Sequence, residues 1–522
     1  MDPIIVTLII LVVAVVAFVS NRIPLGAIAI AVSLALYLTG VLSLPQALAG
    51  FGDPTVLFIA SLFVVSESLE STGIVAWAGQ QVISRAGTRQ RSLLLTIGLL
   101  VAVVTAVISV NGAVAALLPL VVVVAARARL SPSQLLIPLA FSAHAGSMLA
   151  LTGTPVNIIV SELAEESGGR GFGFFEFALA GLPLVIGTLA IILLLGKRLL
   201  PHRTPKSVPV DLEQLAATLR AEYAIDADRA LMTSGRGVTE VVVPPRSPLI
   251  GLHVFPGMCT PSGDLVILGV KRGEDTLSDH GADVQAGDAL LLDGTWDDLH
   301  RHTSGSDEVL VVDDPATLRR AVPLGAGATR AAVILGAMIV LLATGIVPAA
   351  VAGLLAALAL VLTRVVSVTR AYRSISWTTV VLVAGMIPMS TAFQTTGAAA
   401  LIADGLGTWL SGAGPTAALA VIVLITLVLG QLISNTATVL IVAPVAVALA
   451  STMHLSPLPF LMGLTVAGAA ALLTPVATPA NLMVMEPGGY RFGDYARFGL
   501  PLMLLYFAVA VFYVPMIWPF TR

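Results

Sequence analysis

The chain has 522 residues, of which 57% are apolar and only 11% are Asp, Glu, Lys or Arg, with a mean hydropathy of +0.97. Soluble domains carry roughly 25% charged residues, so most of this chain cannot form a water-facing surface. The formal net charge of −3 excludes a strongly basic nucleic-acid binder, and a single cysteine, Cys259, excludes a disulfide framework and any Cys-rich metal or cluster site. The composition implies an all-α polytopic membrane protein.

In chain order, Ile4 to Val19 is apolar but follows Met1-Asp2-Pro3, with no basic n-region and no small-residue cleavage site. It reads as a first spanning helix and not as a removable signal peptide. A span needs about 20 mostly apolar residues. Candidates fall at 4–20, 24–42 and 54–72, a long pair at 92–126, then 134–164 and 178–199. After Pro201 the composition changes, and residues 203–325 hold most of the chain's charge. Within them 211–233 reads as an amphipathic helix and connector, with Leu212, Leu215, Leu219 and Tyr223 at helical spacing. Val238–Val243, Leu265–Leu268 and Ala289–Leu292 read as short strands between Pro and Gly turns. The apolar pattern resumes at 329–345, 348–366, 377–396, 415–451, 459–484 and 497–518.

The order of long and short segments is the same in both halves, and residues recur at an offset of 324 or 325. Pro24 matches Pro348, Ser66 matches Ser390, Thr72-Gly73 matches Thr396-Gly397, and Ile108-Ser109 matches Ile433-Ser434. Pro119 matches Pro444, Leu130-Ser131-Pro132 matches Leu455-Ser456-Pro457, and Thr154-Pro155-x-Asn157 matches Thr478-Pro479-x-Asn481. At a shorter offset Gly181-Leu182-Pro183 matches Gly499-Leu500-Pro501. Polar and proline identities in constant register argue for a duplication, with residues 1–202 and 326–522 as the two membrane repeats and 203–325 inserted between them.

The loops orient the chain by the positive-inside rule. If the pair 92–126 is a re-entrant hairpin, each half makes five spans. Arg22, Arg85, Arg89, Arg91, Arg127, Arg129, Lys197 and Arg198 then share one side with Arg330, Arg364, Arg370, Arg373, Arg491 and Arg497. The other side receives Arg170 and Arg522. Counting the hairpins as full spans scatters the basic residues. An odd number of spans makes the repeats inverted, giving ten spans and two hairpins in the cell (inner) membrane, both termini outside and residues 203–325 cytoplasmic.

Inverted repeats with broken helices are the architecture of secondary transporters, whose sites lie near the midplane. The first hairpin turns at Ser109-Val110-Asn111-Gly112 and the second at Ser434-Asn435-Thr436-Ala437-Thr438. The partner helices break at Leu151-Thr152-Gly153-Thr154-Pro155-Val156-Asn157 and Pro475-Val476-Ala477-Thr478-Pro479-Ala480-Asn481, where each proline removes a helical N–H. Freed carbonyls suit a hard cation such as Na⁺, while helix N-termini and hydroxyls suit an anion. Ser, Thr and Gly in membrane helices usually serve close packing. Four polar motifs in register across a duplication favour a pocket instead.

Ser434-Asn435-Thr436, followed about 40 residues later by Ala477-Thr478-Pro479-x-Asn481, resembles the divalent anion:sodium symporter family of sodium-coupled dicarboxylate, citrate and sulfate carriers. The resemblance covers both membrane halves. It implies a homodimer working by an elevator movement, with Na⁺ as coupling ion and no other cofactor. It further implies substrate contacts from Ser109, Asn111, Thr154, Pro155, Ser434, Asn435, Thr436, Thr478 and Pro479, and sodium contacts from Ser109, Asn111, Gly153, Asn157, Ile433, Asn435, Ala477 and Asn481. One departure is plain. The family's first tip usually reads Ser-Asn-Thr or Asn-Asn-Thr, so here either Asn111 takes the amide role or that cation site is weakened, and a proton or single Na⁺ stays open.

Glu67 and Glu70 lie late in the third span, where an ionisable residue is a site candidate or sits near the cytoplasmic interface; their repeat equivalents are Thr391 and Gln394. His144, ten residues before Thr154, reads as a hydrogen-bonded packing histidine or a proton relay. Gly171-Phe172-Gly173 is a loop, since no strand precedes it. In the insert, Thr239 to Gly251 with Gly287 to Leu292 resembles a TrkA-C (RCK-C) regulatory domain, its usual helix interrupted by Pro256. That domain is either a sensor for a small ligand or a dimerisation module. The expected function is sodium-coupled symport of sulfate ahead of a C4-dicarboxylate or citrate. The rivals are an anion exchanger, an arsenite/proton carrier and, in another class, an ion channel gated by the cytoplasmic domain. No nucleophile–histidine pair points to an enzyme.

Overall fold

The structure is a computed structural model. It describes residues 2–20, 22–85, 87, 89–128, 130–167, 170–203, 212–223, 225, 231–232, 236–273, 275–276, 281–303, 308–312, 327–409, 414–475 and 477–521. Arg129, Val476, Arg522 and parts of the 203–325 insert, including stretches of the 211–233 connector, lie outside the described residues. Contacts divide the chain into two compact units, one of residues 1–68, 82–207 and 332–522, the other of residues 69–81 and 208–331.

The first unit is helical. Among the described residues six helical stretches are long and apolar enough to cross a membrane: Pro3–Ser20, Leu44–Ser71 (helices Leu44–Leu48 and Pro54–Ser71 joined by a 3-10 turn), Ala178–Gly196, Trp377–Thr396, Asn435–Thr452 and Phe492–Ile517. Shorter apolar helices occupy other predicted positions, among them Leu25–Leu38, Gln90–Thr105, Val110–Arg127, Ala349–Leu362 and Gly414–Leu429. Both long pairs bend back where polar residues interrupt the apolar run. Helices Gln90–Thr105 and Val110–Arg127 meet at Ser109, and Gly414–Leu429 and Asn435–Thr452 meet at Ser434. The first legs have 16 residues each, about 24 Å at 1.5 Å per residue and short of the roughly 30 Å hydrocarbon core.

The predicted spans 134–164 and 459–484 are each two half-helices. They are Leu136–Gly146 with Pro155–Glu166, and Leu458–Gly468 with Pro479–Met485. Each half-helix after a break packs against the hairpin helix of the other half: Pro479–Met485 against Val110–Arg127, and Pro155–Glu166 against Asn435–Thr452. Small residues permit such close approach. A Cβ on Gly146 would lie 2.3 Å from Ala102 Cα, and one on Gly385 would lie 2.7 Å from the Ala29 carbonyl carbon. Helices Leu44–Leu48, Val368–Ser374 and Ala398–Trp409 escaped the sequence reading because they are short, as did Ile74–Ser84, most of which belongs to the second unit.

The second unit holds a five-stranded antiparallel sheet of β1 (Arg236–Val242), β3 (Val266–Arg272), β4 (Asp275–Thr276), β6 (Ala289–Thr295) and β7 (Leu310–Val311), in the order β4-β3-β6-β1-β7. A ribbon of β2 (His253–Val254) and β5 (Ala282–Asp283) is separate. One core gathers Val241, Ile267, Val270, Leu290, Leu292, Trp296 and Leu299; a second gathers Leu219, Tyr223, Val238, Leu268 and Leu291. The three predicted strands correspond to β1, β3 and β6. The two-residue strands and helix Trp296–Thr303 were not predicted, since two residues carry no periodicity and Trp-Asp-Asp-Leu-His-Arg-His-Thr is mostly polar. After Gly251, at φ +86°, the described chain enters β2 rather than a helix. Buried Asp288 accepts from Arg272 Nε at 2.7 Å, Arg272 Nη2 at 2.8 Å and the Gln285 N–H at 2.8 Å. The guanidinium holds its carboxyl below the usual carboxylate range against the opposing effect of burial.

Candidate functional site

Four helix N-termini carry the motifs, each capped by a hydroxyl. Ser109 (φ −61°, ψ 152°) caps Val110–Arg127 and accepts from the Gly112 N–H at 3.2 Å; Ser434 (φ −63°, ψ 148°) caps Asn435–Thr452 and accepts from Ala437 at 3.3 Å. Thr154 (φ −153°, ψ 148°) and Thr478 (φ −144°, ψ 149°) cap the half-helices that follow the breaks, accepting from Val156 and Asn481, each at 3.4 Å. Pro155 and Pro479 occupy N1, where a missing N–H costs nothing. A hydroxyl cap satisfies one of the free amides of each first turn, and the others retain the positive end of the helix dipole.

The breaks are held by asparagines. Asn157 Nδ2 donates to the Ser147 and Ala150 carbonyls at 2.9 and 2.8 Å, and Asn481 Nδ2 donates to Ala471 and Thr474 at 2.8 and 3.1 Å. All three residues of each clamp are related by the offset of 324 seen in the sequence. Glycines press on the same loops: a Cβ on Gly181 would lie 2.3 Å from the Met148 carbonyl oxygen, and one on Gly499 would lie 2.1 Å from that of Leu472. Gly153 leaves no room either, since its Cβ would fall 2.1 Å from the Ser147 oxygen.

Several bonds join the halves. Asn111 Oδ1 accepts from the Ala480 N–H at 3.1 Å, so the first tip's amide braces the second break. His144 Nε2 stands 3.2 Å from both Asn481 Oδ1 and Thr478 Oγ1. Tyr490 donates to the Ser133 carbonyl at 2.5 Å and accepts from the Ile137 N–H at 3.0 Å. Within the second half, Tyr495 donates to the Asn481 carbonyl at 2.6 Å. Sequence reasoning missed these tyrosines, and also Gln431. Its Nε2 donates to the Ala470 carbonyl at 2.8 Å and its Oε1 accepts from Leu473 N–H at 2.9 Å. An amide one turn before the Ser-Asn-Thr tip was the available signal.

The other predicted residues fall as follows. Ser109, Asn111, Thr154, Pro155, Ser434, Asn435 and Thr436 are half-buried, Pro479 is exposed, and Gly153, Ile433, Ala477 and Thr478 are buried. A cleft lined by Phe63, Ile108, Ser109, Thr152, Gly153 and Pro155 encloses about 30 Å³ beside the first tip. Asn157 Oδ1 and Asn435 Oδ1 are buried without a hydrogen-bond partner in the structure. Each is an acceptor that a cation or an N–H could satisfy. Among the described residues no group of three His, Cys, Asp or Glu side chains could hold a metal ion. Glu67 faces Arg370, with Oε1 3.3 Å from Nε, which fits the reading of Glu67 as an interfacial residue rather than a site carboxylate.

The citrate transporter family model matches residues 15–467 and 408–522. An Escherichia coli protein named as the uncharacterized transporter YfbS is 31% identical across 98% of this chain and 98% of its own length. The chain belongs to the citrate transporter family. As a family member it is a multi-pass membrane transport protein and not an enzyme, and the resemblance drawn from the paired motifs is met at this level. Sodium/sulfate cotransporter 1 of Chlamydomonas reinhardtii is 27% identical over 53% of this chain and 32% of its own. The solved Alcanivorax borkumensis YdaH transporter, described as having an unusual topology, covers both chains fully at a TM-score of 0.51 and 14% identity. That likeness speaks to the fold alone.

Proposed function

We propose that this family member is a sodium-coupled symporter of a small divalent anion, sulfate ahead of a C4-dicarboxylate or citrate. The observation that carries the reading is the set of four hydroxyl-capped helix N-termini, two in each half. Oriented amides and hydroxyls favour an anion, but a divalent anion held by dipoles in a medium of low dielectric needs compensating charge. Co-bound Na⁺ supplies it, and the unpartnered Asn157 Oδ1 and Asn435 Oδ1, one in each half, are suitable acceptors. Ser109, Asn111 and Gly153 serve one cation and Ile433, Asn435 and Ala477 the other, with Thr154, Ser434, Thr436 and Thr478 toward the anion.

The repeated caps and asparagine clamps support an inverted duplication of five spans and a hairpin per half. On this reading the protein is an inner-membrane homodimer with both termini outside and a cytoplasmic insert, moving its loaded site by an elevator step. Differential affinity for the loaded states drives the coupling. The sheet of the second unit suits a TrkA-C-like regulatory domain, open to a small ligand. The name of the Chlamydomonas relative favours sulfate; the description of the family model favours citrate as the second reading.

The test is radiolabelled sulfate uptake into proteoliposomes with and without an inward Na⁺ gradient, competed by succinate and by citrate. Sodium-driven uptake that succinate and citrate leave intact is expected. Competition by either moves the substrate to the carboxylates, and uptake indifferent to Na⁺ refutes the coupling. Asn435→Ala should abolish uptake in a folded protein.

A further inference from the structure

The two breaks share caps and clamps but differ at one position. His144, on helix Leu136–Gly146, is 2% exposed and reaches across to the second break. At the matching offset of 324 the second half carries Gly468, which brings no side chain, and Asn157 Oδ1 is left buried without a partner.

The hydrogens around His144 can be assigned. Asn481 Nδ2 is engaged by the Ala471 and Thr474 carbonyls, so the atom facing the imidazole is the amide oxygen, which only accepts. Nε2 must therefore carry the proton, because the other neutral tautomer would set two lone pairs against each other in a buried site. Thr478 Oγ1 then receives two donors, the Asn481 N–H at 3.4 Å and the shared Nε2–H at 3.2 Å. A hydroxyl oxygen has two lone pairs, and both are occupied. The remaining role of the Thr478 hydroxyl is to donate. Thr154 accepts from the Val156 N–H at 3.4 Å, and the position matching His144 in the second half, Gly468, brings it no imidazole.

We infer that His144 is a specificity-determining positioning residue: it fixes the Thr478 hydroxyl as an obligatory hydrogen-bond donor to the transported anion, while Gly468 leaves the Thr154–Asn157 half free to accept. The two half-sites thereby differ in polarity despite the duplication. A site whose hydroxyl can only donate prefers a fully deprotonated oxyanion over one that presents an O–H there, because an O–H facing an O–H leaves both unpaired. This inference rests on the anion-transport reading above.

The experiment measures labelled sulfate and succinate uptake, and the half-saturating Na⁺ concentration, for wild type, His144→Leu, His144→Gln, Thr478→Val and the His144→Leu/Thr478→Val double variant. His144→Leu and Thr478→Val should each raise KM for the transported anion about tenfold. The double variant should be no worse than Thr478→Val alone, because both remove the same donor. His144→Gln, which restores an N–H donor, should recover most of the loss, and the half-saturating Na⁺ concentration should stay within about twofold of wild type, less than 0.5 kcal/mol. A folded His144→Leu protein with wild-type KM, effects that multiply in the double variant, or parallel losses of anion and Na⁺ affinity would each overturn the inference. Should His144→Leu not fold, an unchanged KM in Thr478→Val overturns it equally. Anion uptake that Asn435→Ala abolishes while these variants leave it intact removes only the role of His144. Wild type carrying neither anion removes the transport reading and this inference together.

Discussion

The asparagine clamps give a prediction that compares the protein with itself. Asn481→Ala removes a side chain whose nitrogen donates to two carbonyls and whose oxygen accepts from His144, all within a fully buried setting. Three partners lose a bond. Hydrogen bonds within membrane proteins are worth about 0.6 kcal/mol each on average, and a buried group left unpaired costs about 1–3 kcal/mol, so the loss should fall at about 2–5 kcal/mol. Asn157→Ala releases two carbonyls, but its oxygen has no partner to lose. Removing that orphan acceptor offsets part of the cost, and about 1–2 kcal/mol remains. The check is thermal unfolding of the purified detergent-solubilised variants in sodium-free buffer, where cation binding cannot add stability. Asn481→Ala should melt below Asn157→Ala by a margin of at least about 1 kcal/mol. An equal loss, or a larger one for Asn157→Ala, would refute both the tautomer assigned to His144 and the claim that the clamps differ.

Two further outcomes follow from particular contacts. Gly153→Ala sets a Cβ 2.1 Å from the Ser147 carbonyl oxygen, 2.7 Å from its carbon and 2.8 Å from its Cα. Backbone cannot rotate away, so the loop must move by roughly 1 Å at a cost of about 1–3 kcal/mol; uptake should fall at least tenfold, and wild-type uptake would show that the break tolerates the shift. In the second unit, the carboxyl of Asp288 lies below its ordinary range because of Arg272, so its stabilisation is present above the unfolded-state value near 4 and is lost as pH falls through the lower folded-state value. Pepsin should therefore begin to cut segment 253–295 only below about pH 4 in the wild type, and Asp288→Asn should be cut already at pH 5; identical profiles would refute the role of the pair.

Much of the membrane architecture was legible because one rule governs it. Apolar runs had to be helices, and polar interruptions in them marked the turns at Ser109 and Ser434 and the breaks before Pro155 and Pro479. The caps could be read from residue type alone, since Ser or Thr ahead of a helix is the usual cap. What escaped was everything fixed by meetings across the chain. Nothing in the sequence says that Tyr490 reaches Ser133, that Asn111 braces Ala480 or that Gln431 grips Ala470 and Leu473. Helix Ile74–Ser84 escaped for a different reason: at 11 residues its apolar run is too short to read as a span.

The least legible point concerns the carbonyls. A broken helix suggests freed carbonyls that could ligate a cation, and the sequence reading gave that use to those at Gly153 and Ala477; other carbonyls of the breaks are spoken for. In the structure the Asn157 and Asn481 amides donate to Ser147, Ala150, Ala471 and Thr474, while Gln431 and Thr152 donate to Ala470 and Ala106. These carbonyls hold the shape of the loops. The carbonyls at Gly153, Ile433 and Ala477 are not among them, and on the proposed reading these serve the cation together with the amide oxygens without partners, while the helix N-termini serve the anion. One such amide oxygen comes from each half of the chain, but not from equivalent residues. Asn435 offers it on a hairpin tip and Asn157 on a break, because His144 has already taken the oxygen of Asn481. On the proposed reading Gly468→His should therefore satisfy Asn157 Oδ1 and raise the half-saturating Na⁺ concentration before the KM for the anion, the reverse of what His144→Leu should do.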